Sequence, residues 1–168
     1  GEAVAVRGDV SNPDDVEHIF AAADRMGPLA ALVNNAGPIA LGSRVEAMDA
    51  ARIAKLFAVN LTGSFLCAAA AIRRLSTRHG GKGGAIVNIS SVAARMGGVP
   101  GWAAYAASKG AVDSFVMNAA KDLGPQGIRI CGLRPGMTRT EMLEEIGVEA
   151  RIQAGIATVS LGRAAEPE

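Results

Sequence analysis

The sequence is short of aromatic residues, of cysteine and histidine, and of any excess of one charge, and each shortage narrows what the chain can be. Phe, Trp and Tyr make up 4% of its 168 residues, so a core must be built from Ala, Val, Ile and Leu rather than from rings. The two cysteines, Cys67 and Cys131, each fall inside an apolar stretch; reduced core residues fit that placement better than a disulfide or a metal pair. His18 and His79 lie far apart in sequence without ligand-like neighbours, so no metal site is expected. Lys and Arg number 17 against 16 Asp and Glu, a net charge of +1. No basic tract interleaved with aromatics stands out, and nucleic acid is not an expected partner. No uninterrupted apolar run is long enough to span a bilayer and no signal peptide opens the chain. A membrane partner is therefore not expected, and the cytoplasm is the expected compartment.

What is present points to one folded domain. Hydrophobic residues reach 49% and charged residues 20%, which excludes a disordered chain. Short apolar runs alternate with longer helical patterns. Residues 3–6 (Ala-Val-Ala-Val) read as a buried strand and Pro13 to Met26 as the helix after it, capped by Ser11 or Asn12 with Pro13 in its first turn. Residues 29–33 form a second strand, and a helical region follows from about Glu46 to Thr77, as two helices meeting near Asn60. Residues 85–89 are a third strand, 103–123 a helix ended by Gly124-Pro125, 128–133 a fourth strand, and 140–154 a final helix. Strands apolar on both faces and separated by helices predict a parallel sheet covered on both sides, a doubly wound, Rossmann-like α/β fold. The run Gly80-Gly81-Lys82-Gly83-Gly84 precedes its strand, whereas a phosphate cradle follows a strand and opens a helix. A flexible turn is expected there.

In such a sheet, ligands bind beyond the carboxyl ends of the strands. Asp9-Val10, Asn34-Asn35-Ala36-Gly37, Ser90-Ser91 and Pro135-Gly136 each follow a strand at that rim. Tyr105 and Lys109 are spaced i, i+4 on a helical pattern and share one face. A free tyrosine has a pKa near ~10; a neighbouring ammonium stabilises its phenolate, and the pair becomes a candidate general acid/base for an alcohol proton. Ser91 sits at a strand end with the Gly-rich loop 97–101 between it and Tyr105, placed to hydrogen-bond a substrate oxygen. Ser90 is the alternative, and strand alternation lets only one of the two face the cleft. Taken singly, these features have plainer readings: Tyr105 and Lys109 as a surface pair, Asp9 as a turn or cap residue, Asn60 bonding a local carbonyl where the helix bends.

Asn34-Asn35-Ala36-Gly37, Asn60, Ser91, Tyr105-Ala106-Ala107-Ser108-Lys109 and Pro135-Gly136 occur in an order that resembles the short-chain dehydrogenase/reductase family over nearly the whole chain. The resemblance implies an NAD- or NADP-dependent oxidoreductase that moves hydride to or from a secondary alcohol or ketone. It implies Ser91 as the substrate-orienting serine, Tyr105 as acid/base, Lys109 as the lysine that also holds the nicotinamide ribose, and Asn60 as the residue holding a water in the proton relay. Asp9 and Val10 match the pair beside the adenine, Asn34, Ala36 and Gly37 the cofactor cleft, and Pro135, Gly136 and Thr140 the loop beside the nicotinamide. It also implies a homo-oligomer, dimer or tetramer, built on the helices carrying Phe65, Leu66, Ala69, Ala104, Ala111 and Phe115. Residues from about Met137 to Gly155, with Met142, Leu143 and Ile146, are expected to form a substrate lid.

Two departures stand out. Cys131-Gly132 occupies a place where many members carry an asparagine. The family's first two strand–helix units, with the glycine-rich turn for the pyrophosphate, and its last helix and strand have no counterpart here, so the chain reads as a fragment truncated at both ends, inactive alone. A hydrolase using Ser108 or Ser91 is disfavoured, since neither sits at a nucleophile elbow with a placed base. A non-catalytic oligomerisation or binding module is the remaining alternative.

Overall fold

The structure, a computed structural model, describes residues 1–39, 43–140 and 149–167, without the side chains of 149–152. Met142, Leu143 and Ile146 of the expected lid lie outside the described residues. Helix α1 (Pro13–Met26) starts on Asn12 rather than Ser11: the Asn12 Oδ1 accepts the amides of Asp14 and Asp15 at 2.9 and 3.4 Å. Those amides have no partner inside the helix, which is why an Asx cap fixes its start. Strand β1 (Ala31–Asn34) follows two residues later than the apolar pattern suggested. Helices α2 (Ala50–Phe57) and α3 (Ser64–Leu75) are joined without interruption by a wide π-helical turn over Ala58–Gly63. Strand β2 (Gly84–Ile89), the short helix α4 (Ala93–Met96), the long helix α5 (Ala103–Leu123), strand β3 (Ile128–Leu133) and helix α6 (Glu149–Ile156) complete the order.

The three strands form one parallel sheet in the order β1-β2-β3. Leu32 pairs with Ile86 and Ile86 with Ile130, one row; Val33, Val87 and Cys131 make the next, on the opposite face. Leu32, Ile86 and Ile130 belong to the main core, which gathers Val16 and Phe20 of α1, Cys67, Ala71 and Leu75 of α3, and Leu123 of α5. Alanines on α3 let that helix lie close to the sheet, which accounts for a core with few large side chains.

Three expectations need correction. Residues 3–6 form no strand and have no described partner strand; Val4 is exposed. An apolar run becomes a strand only when a neighbour satisfies its backbone groups. The sheet is not covered on both sides: among the described residues the helices pack on the face of Ile86, and on the other Val33 is 61% exposed and Cys131 lies exposed rather than in the core. The fold is therefore α/β and Rossmann-like, but incomplete. The glycine run is a turn, as expected, but a closely packed one. Added Cβ atoms would meet backbone at 2.4 Å at both Gly81 and Gly83, and the Gly83 and Gly84 amides donate to Leu75 and Gly127.

The helical stretch Ala50–Leu75 is, by length and composition, apolar enough to cross a membrane, contrary to the reading of the sequence. Here its apolar positions pack on the sheet and α1, as a core helix does.

Candidate active site

The carboxyl ends of β1 and β2 carry paired asparagines. Asn34 and Asn88 are register partners; the Asn34 amide donates to Asn88 Oδ1 at 2.9 Å and to the Ser64 carbonyl at 3.2 Å. Asn34 thus locks the rim of the sheet to the start of α3. At the end of β2 the two serines divide their roles. Ser90 is buried and donates to the Lys109 carbonyl at 3.1 Å. Ser91 is only partly buried, and its hydroxyl is near enough to the Tyr105 phenol to lower its pKa, while its Oγ accepts the Ala93 amide at 3.1 Å. With Ser90 buried in a bond to the helix backbone, Ser91 is the serine left beside Tyr105.

Tyr105 and Lys109 lie on the same side of α5, 8% and 3% exposed, with the Lys109 Nζ 5.9 Å from the Tyr105 ring centre. Lys109 donates to the Ile89 carbonyl at 2.8 Å, tying the helix to β2. Trp102 packs edge-on against Tyr105 with ring centres 5.8 Å apart. Burial pushes the Tyr105 phenol up, and the Ser91 hydroxyl pulls it back. Burial pushes the Lys109 ammonium down. The proximity of a lysine alone therefore does not make Tyr105 a base here: desolvation is the larger effect, and the pull in the other direction comes from Ser91.

Asn60 is brought in by the π-helical turn, an irregularity that re-aims one side chain of an otherwise continuous helix. Its bonds are not local, as the plainer reading had it. The amide donates to Ser108 Oγ at 2.9 Å and to the Pro38 carbonyl at 3.3 Å, and Ser108 donates in turn to the Tyr105 carbonyl at 2.7 Å. The Asn60 Oδ1 is buried without a partner. A Cβ placed on Gly37 would fall 2.8 Å from Lys109 Nζ and 3.1 Å from that Oδ1. Gly37 thus leaves only a narrow gap faced by an ammonium donor and an orphaned acceptor, too tight for even a methyl group.

The remaining rim residues fall into two groups. Val10, Asn34 and Ala36 line an open, largely apolar groove of about 240 Å³ beside the free edge of β1. Asp9 stands next to it as a turn residue: its Oδ1 accepts both the amide and the hydroxyl of Ser11, which hold the carboxyl below its ordinary pKa. Pro135 follows β3, and its carbonyl accepts the Val92 amide at 3.1 Å, joining the ends of β2 and β3. Gly136 is exposed beside it, and Thr140 is exposed farther along that loop. Ser91, Tyr105, Lys109, Asn60 and Gly37 are brought together; Asp9 and Thr140 stand apart from that cluster. Reading the sequence passed over Trp102 and weighed Ser108 only as a nucleophile, although Ser108 falls i+3 from Tyr105 on the same helix and joins it to Asn60.

The family model for short chain dehydrogenases matches residues 1–150. An uncharacterised oxidoreductase of Escherichia coli, YgfF, is 40% identical over all of this chain and 68% of its own length. A 3-oxoacyl-(acyl-carrier-protein) reductase of Synechocystis is 35% identical over all of this chain and 65% of its own length. A trans-4-hydroxycyclohexanecarboxylate dehydrogenase of Sinomonas cyclohexanicum is 38% identical over 89% of this chain and 53% of its own length. The chain thus spans between about half and two thirds of these three relatives, and over that span it belongs to the short-chain dehydrogenase family of oxidoreductases.

Proposed function

We propose that these residues form the catalytic half of an NAD- or NADP-dependent oxidoreductase acting on a secondary alcohol or ketone. The burial of Tyr105 and Lys109 together on one side of α5, beside Ser91 at the end of β2, carries the reading, because it would bring a proton-transfer group and an orienting hydroxyl to one point of the rim. The cofactor fits the donor and acceptor groups present: beside Gly37, Lys109 Nζ has donors to spare beyond Ile89 and the Asn60 Oδ1 is unpartnered. Lys109 would hold ribose hydroxyls, with the segment Asn34, Ala36, Gly37 and the loop Pro135, Gly136 alongside. The nicotinamide, when bound, accepts or supplies the hydride.

This chain's own residues handle the proton. Ser91 donates a hydrogen bond to the substrate oxygen and orients it. In oxidation the Tyr105 phenolate takes the hydroxyl proton as the carbinol carbon gives up hydride; in reduction the phenol returns a proton to the nascent alkoxide. Asn60, Ser108 and Lys109 fix the helix and keep a polar path from the Tyr105 neighbourhood to the gap over Gly37. Leu56, Met48, Ile53 and Trp102 line a small apolar crevice beside Tyr105, which favours a substrate with a hydrocarbon substituent.

Phe65 is 46% exposed and lies 4.1 Å, ring centre to ring centre, from Phe115 across α3 and α5; with the exposed Met117 it forms a face suited to a second copy of the protein. The protein is assayed spectrophotometrically with NAD+ and NADP+ against secondary alcohols, and with NADH and NADPH against ketones. Turnover that disappears in Tyr105→Phe supports the reading. Turnover that survives it, or esterase activity lost with Ser91, overturns it.

A further inference from the structure

A buried carboxylate one helical turn beyond Lys109 has no part in the proton chemistry. Asp113 lies on α5 at i+4 from Lys109 and i+8 from Tyr105, on the same side of the helix, and is 7% exposed. Its Oδ2 accepts the Arg134 Nε at 2.7 Å and stands 3.9 Å from the Arg95 Nε. Its Oδ1 is buried without a partner. Arg134 immediately precedes Pro135-Gly136, and Arg95 belongs to α4, which follows Ser91 directly. One carboxylate therefore faces the two segments that leave the carboxyl ends of β2 and β3. Those segments are also joined to each other: the Ser90 amide donates to the Leu133 carbonyl at 2.7 Å and the Val92 amide to the Pro135 carbonyl at 3.1 Å.

We propose that Asp113 is a positioning residue, which through Arg134 clamps the Pro135-Gly136 loop and the Ser91 segment onto the helix that carries Tyr105 and Lys109. A buried carboxylate is costly unless it is paired, and hydrophobic packing at this helix position would suit a plain core better. The pair is charge-assisted, short and directional, so it fixes the loop's distance from α5 rather than merely filling space. Arg95, farther away and 64% exposed on its side chain, adds little; the clamp is the Asp113–Arg134 pair. The proposal rests on the oxidoreductase reading for its meaning, since the distance it sets is that between the nicotinamide-side loop and Tyr105.

The primary test is hydrogen exchange of backbone amides in this chain, which needs no activity. Asp113→Asn keeps the shape and removes the charge, and Arg134→Met removes the other partner. The expected result is a loss of protection at Val92 and Ser90 of about tenfold or more, the weight of a charge-assisted bond, with Leu32 and Val87 unchanged. The double variant loses no more than either single one, and Arg95→Met leaves all four amides as they were. Equal loss at all four amides, or none at Val92, overturns the proposal. In the active enzyme, Asp113→Asn lowers kcat with the alcohol's KM little changed, as misplacement of a bound pair does; a purely structural role lowers melting temperature while kcat stays. Should the protein prove inactive towards every alcohol and ketone tried, the oxidoreductase reading fails while the exchange result still decides the clamp.

Discussion

Replacing Gly37 with alanine probes the site with one methyl group. The new Cβ would sit 2.8 Å from Lys109 Nζ and 3.1 Å from Asn60 Oδ1, whereas unstrained contacts of this kind lie near ~3.5 Å. Lys109 has a flexible stem, so its ammonium can retreat by about 0.7 Å, at the cost of stretching its bond to Ile89. Losing most of such a bond costs about 1–2 kcal/mol, or a fall in melting temperature of roughly 2–8 °C for a chain this size. The functional loss should be larger. The added methyl presses on Lys109 and Asn60 together, and displacement of an active-site group by about 1 Å can cost on the order of a hundredfold in rate. Gly83→Ala is the contrasting control, because its Cβ meets backbone at 2.4 Å and its φ is +78°, so stability suffers and the site does not. Thermal melts and initial rates on both variants make the comparison. Near-normal kcat in Gly37→Ala, or a melting loss as large as that of Gly83→Ala, would refute this account of the gap.

Tyr105→Phe should lose at least a thousandfold in turnover, within the range for removing a general acid/base and its hydrogen bond, while cofactor affinity by fluorescence titration stays within about twofold. Lys109→Met should melt higher by about 1 kcal/mol near neutral pH, since it removes a buried charge. The sign of the pH dependence follows: burial lowers the folded pKa of Lys109, so stability in the wild type rises as pH passes from that folded value towards the ordinary one, and the variant loses this rise. Tyr105, raised by burial, acts oppositely and costs stability as pH climbs above about 10; calorimetric melts from pH 7 to 11 separate the two. Leu75→Ala should cost about 2–5 kcal/mol in urea unfolding, because Leu75 is wholly buried among α1, α3 and β2.

The helices and the gathering of the candidate residues at the rim were legible because their signals are local. Asn12-Pro13 marks a helix start by capping chemistry, and α5 keeps its pattern from Ala103 to Leu123. Tyr105 and Lys109 follow from helical spacing, and Ser91 from its place at a strand end. What could not be read depends on partners. Residues 3–6 have the composition of a strand, but pairing belongs to the neighbour as much as to the run itself. Val33 and Cys131 look like core residues because the alternation along a strand does not say whether a layer covers that face. The π-helical turn at Asn60 left no local mark, since Ala-Val-Asn-Leu-Thr-Gly is as compatible with a regular helix. The pull of Asp113 on Arg134 joins positions 21 residues apart, and only the fold brings them together.

The buried polar atoms left without partners sharpen the division between scaffold and site. Among the described residues they are Asn60 Oδ1, Asn88 Nδ2, Trp102 Nε1 and Asp113 Oδ1. None belongs to the core between α1, α3 and the amino-terminal ends of the strands, where Leu75, Ile86 and Ile128 pack without a polar atom to satisfy. Asn60 is on the turn beside Lys109, Asn88 next to the carboxyl end of β2, and Trp102 and Asp113 on either side of the Tyr105–Lys109 stretch of α5. Each such atom costs about 1–3 kcal/mol when buried unpaired, a cost a chain selected for stability alone would shed by an apolar substitution. The cost falls at or near the carboxyl ends of the strands, where ligands of parallel sheets bind, and it is offset by the apolar half of the same sheet.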